Sequence, residues 1–208
     1  MRDQNIVIVD YGLGNLASIK NMLKAIGTPS IITSDISEIR KSDKLILAGV
    51  GAFAQAIQNL KELNLLQVLN NLVLTEKVPI LGICLGMQLF TEKSEEGSEK
   101  GFGWIKGKTV KFHFDTNEAN LKIPHMGWNT IKIERNNFLF EGLDNDTKFY
   151  FVHSYYVSCE DQEDILTTTF HGFNFTSALQ KENIYGVQFH PEKSHKFGKS
   201  VMERFTAI

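Results

Sequence analysis

A cysteine stands between two glycines in "ILGICLGMQLF", residues 80–90, after an apolar run and before a stretch with helical spacing. Gly82-Ile83-Cys84-Leu85-Gly86 fits the small-x-nucleophile-x-small elbow, a sharp strand-to-helix turn that holds a nucleophile in a strained backbone conformation above a sheet. Such a turn also sets the thiol at a helix N-terminus, where the dipole and free N–H groups favour the thiolate. The plainer alternative is a buried structural cysteine at a tight turn, since free cysteine is among the most buried residue types.

A cysteine nucleophile needs a base and a group to orient that base. In "GVQFHPEKS", residues 186–194, His190 and Glu192 flank Pro191. Residues two apart on an extended chain point the same way, and proline biases its predecessor towards the extended region, so a carboxylate can stand beside the imidazole. His190 would take the thiol proton and return it to a leaving amine, with Glu192 fixing the tautomer. Read alone, "HPE" is better taken as a strand-ending turn with a solvated acid. The glycine-rich "AGVGAF", residues 48–53, follows a strand candidate. The N–H groups of Gly49, Val50 and Gly51, with that of Leu85, can form an oxyanion hole for acyl transfer. A phosphate-binding reading of this turn, or of "GLG" at 12–14, lacks both the full G-x-G-x-x-G pattern and a Walker A lysine.

These groups need a scaffold that brings them to one edge. Residues 6–10 read as a strand, followed by helical spacing at Leu16, Ile19, Met22, Leu23 and Ile26. Strand candidates follow at 30–33 and 44–48, with a short polar helix or turn between them. Apolar residues at Ile57, Leu60, Leu63, Leu66, Leu69 and Val73 predict one long helix over 52–74. "ILGI", continuously apolar, predicts a parallel strand covered on both faces. Beyond Gly101 short alternating runs predict antiparallel or mixed strands: "KTVKFHF", "NTIKIE", "KFYFVHSYYVS", "DILTTTF", "NFTSALQ" and "IYGVQF". "KFGKSVMERF" closes the chain as a helix. The expectation is an α/β fold: a mostly parallel central sheet with helices on both faces and an antiparallel extension, in one domain over 1–208. In an open parallel sheet the strand carboxyl ends share one edge, where ligands bind.

Bulk properties narrow the function. The 208 residues carry 22 Lys and Arg against 24 Asp and Glu, a formal net charge of -2. That balance gives no overall field for nucleic acid or an anionic membrane. No apolar run is long enough to span a bilayer and the N-terminal run is too short for a signal-peptide core, so a cytoplasmic protein is expected. Cys84 and Cys159 are then expected to be free thiols, with Cys159 structural. No His/Cys cluster has metal-ligand spacing, and amide hydrolysis through a cysteine needs no cofactor.

The chain resembles the class I (triad) glutamine amidotransferases nearly end to end, and among them most closely the glutaminase subunits of imidazole glycerol phosphate synthases. The resemblance rests on "DYGLGNLASIKN", "GVGAFAQAI", "GICLGMQLF", "SEEGSEKGFGWIKG", "PHMGWN", "YFVHSYY" and "GVQFHPEKS". It implies hydrolysis of the L-glutamine side-chain amide through a γ-glutamyl thioester on Cys84, with His190 as base and acid and Glu192 as its orienter. It further implies glutamine contacts at Gln88, Glu96, the 49–51 turn, His153, Ser154 and Tyr155. The ammonia would pass to a (β/α)8-barrel cyclase in a heterodimer, with Asn15, Met126, Trp128 and Lys193 facing that partner. Two positions depart from the pattern: Ala48 stands where proline is usual, and His195 where glutamine commonly follows "HPEKS". The first leaves open an oxyanion turn that rests with its N–H groups turned away until a partner reorients it. Histidine biosynthesis is the leading reading. The alternatives are a paralogue feeding ammonia to a sugar amidotransferase in surface-polysaccharide synthesis, a stand-alone α/β cysteine hydrolase, and a non-catalytic partner-binding subunit.

Overall fold

The computed structural model describes residues 5–114 and 121–208. In chain order the elements are β1 (Ile6–Val9), α1 (Leu16–Ala25), β2 (Ser30–Thr33), α2 (Ile36–Ile39), β3 (Lys44–Gly49), α3 (Phe53–Glu62), α4 (Leu65–Asn70), β4 (Ile80–Cys84), α5 (Leu85–Gln88), β5 (Lys93–Ser94) and β6 (Gly107–Lys111). The second half adds β7 (His125–Thr130), β8 (Lys132–Ile133), β9 (Lys148–His153), β10 (Tyr155–Cys159), β11 (Ile165–His171), β12 (Phe173–Lys181), β13 (Ile184–Val187) and α6 (His195–Ala207).

The main sheet runs β2-β1-β3-β4-β13-β12-β10-β6-β5, with β11 and β8 joined through β12. Its first five strands are parallel, and β12, β10 and β11 are antiparallel additions. A separate two-stranded sheet pairs β7 with β9. This is the expected mostly parallel α/β fold with an antiparallel extension.

The inner parallel strands β1, β3, β4 and β13 are buried on both faces, which is why their sequences are largely apolar, whereas the edge strand β2 is half-buried. Val7, Leu45 and Leu47 face one core with Phe53, Leu60 and Leu69, whereas Ile6, Ile8, Ile46, Leu81 and Ile83 face another with Ile19, Leu23, Val201 and Phe205. The strands therefore have little freedom to slip, and the carboxyl ends of β1, β3, β4 and β13 come to one edge.

Three expectations are corrected. The helix predicted over 52–74 breaks into α3, α4 and a π-helical turn (Asn71–Thr75), because Asn64 takes a left-handed conformation with φ 57°. Asparagine tolerates that region, and apolar spacing carries across the break unchanged. The helix expected after Cys84 is a single turn, α5, so its macrodipole is small. The run "KFYFVHSYYVS" is two strands, β9 in the small sheet and β10 in the large one, with the corner at Ser154. Cross-strand partners fix that corner: β9 pairs with β7 while β10 lies between β12 and β6.

Candidate active site

Cys84 ends β4 with φ 54° and ψ −111°, a conformation that L-residues rarely adopt and that persists only where the surroundings enforce it. The enforcement is visible at its two glycines. A Cβ on Gly86 would lie 1.7 Å from the Leu47 carbonyl oxygen, and one on Gly82 would lie 2.5 Å from the Phe90 ring. Both sites exclude any side chain, so the elbow is walled by backbone on one side and an aromatic ring on the other.

His190 follows β13, and its N–H donates to the Tyr150 carbonyl at 2.9 Å. Its Nδ1 lies 2.7 Å from Glu192 Oε1, with both side chains almost wholly buried. A carboxylate accepts, so Nδ1 carries the proton and Nε2 is left as the basic nitrogen. Nε2 and Glu192 Oε2 have no partner among the described residues. Cys84 Sγ instead contacts the Val152 carbonyl at 3.9 Å and accepts from Gln188 Nε2 at 3.6 Å. Burial opposes a charge on His190, but the nearby Cys84 sulfur and Glu192 carboxylate outweigh it and raise the imidazole pKa. With no hydrogen bond of normal geometry between sulfur and Nε2, the sulfur's share is one of proximity.

A cavity of about 270 Å³ opens over the sulfur, lined by Val50, Gly51, Cys84, Leu85, Gln88, Glu96, Pro124, Val152, His153, Ser154 and Tyr155. The expected glutamine contacts Gln88, Glu96, His153, Ser154 and Tyr155 are among them, as are three of the four oxyanion candidates, Val50, Gly51 and Leu85. The fourth, Gly49, lies one residue inside, level with Cys84 in the β3–β4 register. Glu96 is the acidic residue of the lining, and its Oε2 accepts from the Phe53 N–H at 2.8 Å, which ties the polar 94–99 segment to the start of α3. A larger hollow of about 540 Å³ around Phe138 and Phe140 contains neither a cysteine nor a histidine.

Two hydrogen-bond chains meet at the Tyr155 carbonyl. Gln88 Nε2 donates to it at 2.9 Å and also to Gln188 Oε1 at 3.1 Å. From the other side His153 Nδ1 lies 2.8 Å from the same oxygen, His153 Nε2 lies 2.9 Å from His125 Nδ1, and His125 Nε2 lies 3.0 Å from Asn129 Nδ2. A carbonyl only accepts, so His153 carries its proton on Nδ1, His125 donates from Nδ1, and Asn129 donates to His125 Nε2. Both imidazoles are neutral: burial, with His171 also facing them, holds His125 down to about 4, and burial against the opposing pull of the Tyr155 carbonyl holds His153 down to about 3.

Sequence reasoning missed Gln188 and the role of His125. The signal for Gln188 was present, since it sits two residues before His190 and so points the same way on an extended segment. His125 had none, because it meets His153 only through the β7–β9 register.

Of the expected partner-facing residues, Met126 and Trp128 project from the outer face of β7, 66% and 47% exposed. Trp128 stacks on His195 with centroids 5.2 Å apart and packs edge-on to Tyr150, over which Lys193 Nζ sits at 5.4 Å. Trp128, Lys193 and His195 thereby form one exposed surface over the half-buried Tyr150 ring. Asn15 is exposed and caps α1, accepting from the Ser18 N–H, and α1 packs against the Pro191–Lys193 turn. Cys159 is a free, buried thiol whose burial pushes its pKa up to about 12, so it is inert at neutral pH. Among the described residues no group of three His, Cys, Asp or Glu is placed to hold a metal, and no helix is long and apolar enough to cross a membrane.

The family model described as Glutamine amidotransferase class-I matches residues 7–207. The chain is 57% identical over 200 residues to "Imidazole glycerol phosphate synthase subunit HisH 2" of Methanococcus maripaludis, covering 96% of this chain and 98% of that one. It is 49% identical to "Imidazole glycerol phosphate synthase subunit HisH" of Sulfurimonas denitrificans, covering 97% of each. Among solved structures it shares its fold with a "glutamine amidotransferase", at a TM-score of 0.75 and 15% identity over 97% of each chain. The chain belongs to the class I glutamine amidotransferase family.

Proposed function

We propose that this chain, as one domain, hydrolyses L-glutamine at Cys84 and serves as the glutaminase subunit of an imidazole glycerol phosphate synthase in histidine biosynthesis. One observation carries the reading: Cys84, with His190 and Glu192 behind it, opens into a cavity whose lining includes Gln88, Glu96, His153, Ser154 and Tyr155, residues expected to hold glutamine. At about 270 Å³ it lies below the roughly 300–1,000 Å³ of pockets for larger ligands, a size suited to one amino acid. Glu96 supplies an anionic wall for the substrate α-ammonium group.

In the reaction Sγ attacks the side-chain carbonyl carbon and the thiol proton passes to His190 Nε2. Negative charge on the carbonyl oxygen is met by N–H groups of the 49–51 turn and Leu85. The C–N bond breaks as His190 returns the proton to nitrogen, and ammonia leaves. Water, deprotonated by the same imidazole, cleaves the thioester, releasing glutamate and restoring the thiol. Glu192 holds the imidazole tautomer throughout. The ammonia passes to a (β/α)8-barrel cyclase bound in a cytoplasmic heterodimer over the surface of Met126, Trp128, Lys193 and Asn15.

The test is glutamate release from glutamine by the purified chain, alone and with the barrel cyclase of the same genome carrying an acceptor analogue. Strong stimulation by that cyclase is expected. Glutaminase activity that responds only to a sugar-amidotransferase partner would move the acceptor to the surface-polysaccharide pathway, and no glutamate in any arm would overturn the proposal.

A further inference from the structure

Beyond the triad, the sulfur of Cys84 has a second polar neighbour. Gln188 is completely buried and its Nε2 donates to Cys84 Sγ at 3.6 Å. Amide nitrogen and oxygen are hard to tell apart by shape, so orientation has to follow from partners. Here the partners settle it. The Tyr155 carbonyl accepts only, which turns Gln88 Nε2 towards it; the same Nε2 then meets Gln188, which has to present Oε1. Gln188 Nε2 is thereby left facing the sulfur.

We infer that Gln188 is a further catalytic residue: its side-chain amide donates to Cys84 Sγ, stabilises the thiolate before attack, and stabilises it again when the thioester breaks. A hydrogen bond to an ionised partner is about twice as strong as a neutral one, so the contact strengthens as the thiol loses its proton. The elbow helix is a single turn, which offers the sulfur little dipole, and a buried donor takes over that task. The amide does not titrate, so the stabilisation holds across the working pH range.

The inference rests on the glutaminase reading for its chemistry but is tested on the thiol itself, so the two can fail separately. The rate of Cys84 alkylation by iodoacetamide would be followed against pH in wild type, Gln188→Met and Gln188→Asn, with Cys84→Ala giving the background. Gln188→Met keeps volume without a donor, and Gln188→Asn keeps the amide but shortens its reach. Both are expected to move the alkylation midpoint to higher pH by about one unit, and to lower kcat for glutamine about tenfold with KM within about twofold. Should both variants fail to fold, wild type answers alone: with 15N-labelled glutamine, one side-chain amide signal is expected to move as Cys84 titrates and to be pH-independent in Cys84→Ala. Superimposable alkylation profiles in folded variants, or side-chain amide signals indifferent to Cys84, would overturn the inference.

Discussion

The two sides of the pocket hold the same carbonyl by different means. On the elbow side, amides run from the Tyr155 oxygen through Gln88 and Gln188 to Cys84, set among parallel strands buried on both faces. On the hairpin side, imidazoles run from the same oxygen through His153 and His125 to Asn129, in a two-stranded sheet whose outer face carries Met126 and Trp128. The amide chain is indifferent to pH. The imidazole chain exists only while both rings are neutral, because a second proton on either would face a donor across about 3 Å. In the proposed reaction, nucleophile placement falls to the rigid half, and grip on the substrate to the half that can respond.

The largest effect that would break this contrast is on the elbow side. Gly86→Ala would drive a methyl into the Leu47 carbonyl. A loss of about 3 kcal/mol or more in chemical denaturation is expected, together with loss of glutamate release. Near-native stability in that variant would mean that the elbow yields and is not the rigid half.

Glu192→Gln comes next. Removing the carboxylate should lower kcat by about 10²–10⁴-fold while leaving residual turnover, because the nucleophile is untouched. It also has a stability signature. His190 has a raised pKa in the folded chain, so its charge adds stability that is fully present below about pH 6.5 and is lost as pH rises through the raised value. In thermal melts against pH, the variant should show a smaller loss that is complete at lower pH than in wild type. Identical profiles would remove Glu192 from the pair.

A smaller effect separates the two chains directly. His125 and His153 titrate near 4 and 3 when folded, whereas the unfolded chain binds those protons near 6.5. Stability should therefore fall as pH drops below about 6.5, by about 1.4 kcal/mol per pH unit for each histidine until its depressed value is reached. His153→Leu should remove one proton from that slope, cost about 1–3 kcal/mol at neutral pH, and raise KM for glutamine more than it lowers kcat. An unchanged slope would mean that the imidazole chain opens to solvent.

The elbow, the His-Pro-Glu pair and the glycine turn were legible in the sequence because each is local: a few adjacent residues encode both geometry and chemistry. The parallel sheet was legible for a related reason, since strands buried on both faces leave uninterrupted apolar runs. The corner at Ser154 was not, because "HSYY" has strand chemistry throughout and only pairing with different sheets divides it. Nor was the left-handed Asn64, which apolar spacing spans without a gap. Gln188 was legible by the two-residue alternation that identified Glu192, yet a neutral amide in a strand draws no chemical notice until its partner is a sulfur. The joining of His125 to His153 depends on register across 28 residues.

The most direct measurement is peptide mass analysis of the chain quenched in acid during turnover with glutamine. The account predicts that the peptide containing Cys84 carries one added γ-glutamyl group, absent when Cys84→Ala is treated alike, and that this variant folds but releases no glutamate. Glutamate release undiminished in Cys84→Ala, with no adduct on the wild-type peptide, would contradict it.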